Sequence, residues 1–256
     1  MPATYPGGWQ DVAMGSRFVS AVAFYGPKTG RLRELLTGVQ ALIAEHVGAG
    51  FRPYTLEQVH ATLIALNGVR EGGTIVNEYL LEHAGVRREM DLPRVMDILD
   101  RRFAVPLRVR IGGFRPGQPI PFTSRGQHLA ERAFSTQGEA FVLVGWPADS
   151  LTGAARPLDE LRRAMNAAGV LHRYHARPAD VDNDLHLVVG HHAGAPAGAL
   201  ARATAAVRDK LAADPADLAI ALSDVTIVAA DSHTLAPPLY VSGIPAPAAE
   251  VLALMP

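Results

Sequence analysis

The chain has 256 residues, of which 48% are apolar and 19% charged, with a formal charge of −1. That is length enough for one large domain with a substantial core, and too balanced a charge for a protein that grips duplex nucleic acid through a basic face. No cysteine is present, which excludes disulfides, thiolate metal centres and cysteine nucleophiles and fits a reducing cytoplasm.

The first residues, MPATYPGGWQDVAMGS, carry Pro6, Gly7, Gly8 and Gly15 and read as an N-terminal arm over 1–16. They show no basic segment followed by an apolar one, and no uncharged apolar run anywhere reaches the ~18–20 residues of a membrane span. A cytoplasmic location without membrane contact is therefore expected. RFVSAVAFY (17–25) alternates and is rich in β-branched and aromatic residues, which predicts a strand. Leu32, Leu35, Leu36, Val39, Leu42 and Ile43 follow at helical spacing after Pro27, with a stop near Gly48. HATLIAL, from His60, predicts a second strand.

The stretch 75–103 reads as two helices broken near Asp91-Leu92-Pro93, and 106–114 as an alternating strand. FRPGQPIPFTSRGQ lies within a Pro- and Gly-rich linker expected near 115–137. Beyond it the pattern predicts a strand (138–147), a helix (157–169), a strand (184–190), a helix (about 196–213) and closing strands at 218–231 and 238–244. Residues 245–256 are left as a C-terminal tail. The order strand, helix, His-bearing strand thus occurs twice, which points to an internal duplication within a single domain over 17–244.

His60 and Thr62 stand two apart on a predicted strand, so their side chains leave one face of the sheet. Alone, such a histidine is readily explained as half-buried and bonded to a nearby carbonyl. His186 changes the weighing, because it occupies the matching strand of the second unit. Two histidines facing one cleft suit displacement at phosphorus: one takes the proton of the attacking oxygen and the other returns a proton to the leaving oxygen. Other clusters are less informative. His172, His175, His186, His191 and His192 lack a metal-ligand frame. Asp180, Asp182 and Asp184 read as a solvated loop. IGGF and VREGGT read as turns, and Ser150, Ser223 and Ser242 lie in no G-x-S-x-G elbow. Arg108, Arg110, Tyr174 and Tyr240 have ordinary surface or core-edge readings beside any role in holding phosphate or base.

HATL, from His60 to Leu63, resembles the first H-x-T/S-hydrophobic motif of the 2H phosphoesterase superfamily, which includes 2′-5′ RNA ligase-like proteins and cyclic nucleotide phosphodiesterases. HLVV, from His186 to Val189, resembles the second motif, and SDVTIVAAD (223–231) is similar to a late strand of that family. The resemblance spans most of residues 17–244 and rests on the order and context of short motifs. It implies an α+β fold of two similar lobes, each a mostly antiparallel sheet flanked by helices, with a central cleft. It further implies that His60 and His186 are the acid/base pair and that Thr62 donates to a phosphate oxygen. Neither a cofactor nor a metal is expected.

The departure from the pattern is Val188, where the second motif has Thr or Ser. Without a replacement, one lost charge-assisted hydrogen bond of about 1.5–3 kcal/mol slows turnover on the order of tenfold to a hundredfold. The expected activity is hydrolysis of a phosphodiester, such as a 2′,3′-cyclic phosphate, in a small nucleotide or short oligonucleotide, by a monomer. A non-catalytic nucleotide- or RNA-binding protein on the same scaffold is the alternative.

Overall fold

The computed structural model describes residues 17–153 and 155–255; the expected N-terminal arm lies outside them. Twelve strands are present among these residues: β1 (Phe18–Ala23), β2 (Phe51–Pro53), β3 (Ala61–Ala65), β4 (Gly68–Glu71), β5 (Thr74–Asn77), β6 (Leu107–Ile111), β7 (Phe134–Gln137), β8 (Ala140–Pro147), β9 (Leu185–His192), β10 (Ala216–Ile220), β11 (Val225–Ala230) and β12 (Tyr240–Gly243). The helices are α1 (Gly30–Val47), α2 (Glu78–Ala84), α3 (Leu92–Phe103), α4 (Leu129–Arg132), α5 (Pro157–Ala164), α6 (Ala197–Ala213) and α7 (Ala248–Ala253). The fold is α+β, with a large antiparallel sheet flanked by helices.

Ten strands form that sheet in the order β10-β6-β8-β9-β3-β1-β11-β12, with β2 added to β9 and β7 to β8. The two strands that carry the sequence motifs, β3 and β9, meet at its middle through the pair Ala61 and Leu187. To one side β3 pairs with β1, and to the other β9 pairs with β8. The outer strands cross over in sequence. β11 and β12, late in the chain, continue the sheet beyond β1, whereas β6, from the first half, continues it beyond β8.

The helices form because their apolar positions recur every three to four residues. Leu35, Leu36, Val39 and Ile43 of α1, Val95, Leu99 and Phe103 of α3, Leu158 and Leu161 of α5, and Val207 and Leu211 of α6 enter one core with the strands. Asp91 caps α3 by accepting from the Arg94 amide, and Pro93 stands in its first turn. A second, small cluster of Val22, Val228, Ala230 and Leu235, with Phe18 and Tyr25 packed on it, lies apart from that core.

Several boundaries differ from the sequence reading. Residues 75–77 belong to β5, which pairs with β4 in a hairpin turning at Gly72 and Gly73, both at positive φ; helical spacing there was continuous with α2 and hid the strand. The stretch 218–231 divides into β10 and β11, because Ala221 to Asp224 turn the chain through a hydrogen bond from the Ala221 amide to Asp224. The expected linker contains α4 and β7, and Leu129, Phe134 and the intervening Ala133 are buried. The expected tail contains α7, with Val251 and Met255 in the core. Among the described residues no helix is long and apolar enough to cross a membrane.

Candidate functional site

Extending the Ala61–Leu187 register by one residue each way sets Thr62 across from His186 and His60 across from Val188. Ala61 and Leu187 face the core and are fully buried, so the alternation of the strands turns His60, Thr62, His186 and Val188 to the opposite face, where all four are partly exposed. Diagonal neighbours on such a face stand about 7–8 Å apart. The two histidines are thus diagonal neighbours on one face.

Each motif strand contains one β-bulge. In β3 the extra residue is Leu63, and in β9 it is Val189, so both fall three residues after the histidine. A bulge leaves main-chain groups off the ladder, and buried ones need partners. A helix side chain adds a donor in both cases, although the Val189 carbonyl also accepts from the Tyr54 amide at 3.1 Å. Gln40 of α1 donates to the carbonyls of Val189 (2.9 Å) and Tyr54 (2.8 Å). Arg162 of α5 donates to the carbonyls of Leu63 (3.1 Å) and Thr62 (3.3 Å) and also to those of Asp182 and Asp184 (2.9 and 3.1 Å). Arg162 is buried and ion-paired with Asp182 at 3.1 Å, so one guanidinium ties β3 to the entry of β9.

His60 lies at the end of the loop that leads into β3. Its Nδ1 is 2.7 Å from the Gln58 carbonyl, which can only accept; the proton therefore sits on Nδ1, and Nε2 carries a lone pair. This is the carbonyl contact that a structural histidine makes, and it also orients a base. Burial, opposed by that hydrogen bond and reinforced by the charge of Lys28, pushes the His60 pKa down to about 4. Lys28 is itself buried and donates to the carbonyl of Gly26 at 2.5 Å; burial lowers it to about 8. Tyr25 packs against the His60 ring at 5.9 Å.

His186 stands in a different electrostatic setting. Arg132 Nη2 lies 3.4 Å from its Nε2, and Asp184 Oδ2 lies 3.8 Å away. A guanidinium only donates, so the neutral ring carries its proton on Nδ1. Burial pushes the pKa down to about 4 while Asp184 and Asp182 favour the imidazolium and Arg125 and Arg132 oppose it. Asp184 is held firmly: Ser124 and Trp146 donate to it at 2.6 and 2.7 Å, and Arg132 at 3.2 Å. Arg125 lies 3.8 Å from both Asp182 and Asp184, and its guanidinium stacks 4.2 Å over the Tyr174 ring. Tyr174 in turn faces His186 at 6.5 Å.

The structure therefore brings His60, Thr62, His186 and Val188 to one face. Thr62 accepts from Arg162 through its main chain, and its hydroxyl has no hydrogen-bond partner among the described residues. Asp182 and Asp184 are not a solvated loop; both are buried in the network behind His186. Burial is tolerated because arginines neutralise them, and Asp182 is held well below the usual carboxylate range by Arg162 and His172. The remaining histidines disperse: His172 bonds Asp182, His175 bonds Asp159, His191 faces Tyr54 and His192 packs on Phe141. Arg110 is tied to Asp217 by two bonds of 2.7 Å. Sequence reasoning missed Arg132, Arg125 and Arg162. Asp184 alone left a signal, since it precedes His186 by two residues and so shares its face.

No family model and no curated protein matches the chain. Among solved structures it is similar to TT0787 of Thermus thermophilus, at 13% identity and a TM-score of 0.43, over 89% of this chain and 97% of that one. It is also similar to ATU0111 of Agrobacterium tumefaciens, a conserved protein of unknown function, at 10% identity and a TM-score of 0.43, over 85% and 82%. Similarity at that level carries no argument about function.

Proposed function

We propose that the protein is a two-histidine phosphodiesterase resembling the 2H phosphoesterases, built as two similar lobes that meet where β3 joins β9, and acting on a small nucleotide or short oligonucleotide. The observation that carries this reading is the register: His60 and His186 share one partly exposed face, with the Thr62 hydroxyl across from His186. The matching bulges and their helix-borne donors support a duplicated architecture.

The chemistry follows from the tautomers. His60, with its lone pair on Nε2, takes the proton of a water as its oxygen forms a bond to phosphorus. His186, neutral in the free protein, takes up a proton once the substrate's negative charge joins Asp184 against burial and the arginines, and it gives that proton to the oxygen that departs as the opposite P–O bond breaks. The proton gained at His60 and lost at His186 is balanced by exchange with solvent. Thr62 donates to a non-bridging oxygen.

The test is turnover of a 2′,3′-cyclic nucleoside monophosphate. His60→Ala and His186→Ala are each expected to lower it at least ~100-fold, and a chelator is expected to leave it unchanged. Turnover retained in both variants would overturn the assignment. A second reading, a nucleotide-binding protein without turnover, is favoured by Val188 and by the Arg132 contact on His186 Nε2; it predicts ligand binding by the unmodified protein and no product.

A further inference from the structure

We propose that Arg132 is a phosphate-binding residue of this face, supplying beside His186 an oxygen donor in place of the hydroxyl that Val188 lacks. The inference rests on reading the face as a phosphate site.

Arg132 ends α4, and its side chain is buried with only 6% of the residue exposed. Two of its nitrogens are fixed from behind: Nε donates to Ser124 Oγ at 3.2 Å and Nη2 to Asp184 Oδ2 at 3.2 Å. Nη1 has no hydrogen-bond partner among the described residues. Nη1 is not among the fully buried atoms that lack a partner, so this arm opens toward solvent and can meet an anion. Its position defines what that is. Nη2 lies 3.4 Å from His186 Nε2, so an oxygen in contact with His186 is within reach of the same guanidinium. The fork can hold two non-bridging oxygens at once, which a hydroxyl cannot.

The surrounding charge agrees. Arg125, Arg132 and Arg162 converge on Asp182 and Asp184. Asp184 is already shared among Ser124, Trp146 and Arg132, and His172 takes part of Asp182. Asp184 is thus shared among several donors, and Arg132 does not hold it alone. Arg132 does not copy the position of a second-motif hydroxyl, which would stand across from His60. It supplies the missing donor from the His186 side of the same phosphate.

The experiment is calorimetric titration with inorganic phosphate, alongside nitrogen NMR of the His186 ring, on the unmodified protein, R132K and R132Q, each checked by thermal unfolding. Phosphate is expected to bind the unmodified protein and to shift the His186 Nε2 resonance as the guanidinium turns to the anion. R132Q is expected to weaken binding about tenfold to a hundredfold, and R132K, which keeps charge without the fork, by a smaller factor. Adding V188T to R132Q is expected to restore part of the loss. Affinities within twofold of the unmodified protein in both folded variants overturn the proposal. Should neither variant fold, phosphate that leaves the His186 Nε2 resonance of the unmodified protein unmoved overturns it equally. Arg132-dependent phosphate binding together with turnover that survives His60→Ala and His186→Ala sinks the phosphodiesterase reading and leaves this one standing.

Discussion

At the scale of single residues, the histidines were legible because period-two alternation fixes which side chains share a face, and an H-x-T triplet is readable without any structure. Arg132 was not, since it lies 54 positions from His186 in a segment whose Pro and Gly content reads as a linker. The same residue scale carries a pH prediction. His60 has a folded-state pKa of about 4, below the ~6.5 of an unfolded histidine. The unfolded chain therefore takes up the proton first. The stabilisation is complete above about pH 6.5 and is lost as the pH falls toward about 4. His60→Gln removes this contribution. Urea midpoints at roughly pH 7 and pH 4.5 are expected to differ less in His60→Gln than in the unmodified protein. An equal or larger difference would show that the His60 ring already takes up its proton in the folded protein.

At the scale of elements, most strands and helices were visible as periodic runs, and the errors fell where two elements abut without a break in hydrophobicity. β10 and β11 read as one strand for that reason, and β5 read as part of a helix. The bulges at Leu63 and Val189 were invisible, because a bulge is defined by the partner strand and not by its own residues. Their fasteners give a graded prediction. Arg162→Met leaves the carbonyls of Thr62, Leu63, Asp182 and Asp184 without a donor they now share, and strips Asp182 of its buried cation. The cost is expected to be about 3–5 kcal/mol. Gln40→Leu removes a neutral donor from Val189 and Tyr54 and is expected to cost about 1–3 kcal/mol. Denaturant unfolding measures both. Equal, small losses would mean that the guanidinium does not hold the strands together.

At the scale of the whole molecule, the sequence showed two strand–helix–strand units but not how their outer strands are exchanged. Pairing across more than a hundred residues leaves no local signature, and β6 and β11 look alike in isolation. The exchange makes the halves interdependent: β6 depends on β8 and β10 from beyond the loop, and β1 depends on β11. Residues 17–114 and 115–255 expressed separately are expected to lack cooperative thermal unfolding, and to regain it when mixed or co-expressed. A half that unfolds cooperatively alone would contradict this interdependence. Arg162 has a consequence at this scale as well. It grips the motif strands by their main-chain carbonyls, so the distance between the histidines is stored in atoms that every residue possesses. The side chains on the open face can then be exchanged without moving their neighbours, and substitution at Thr62 and Val188 changes what that face presents while the strands beneath it stay in place.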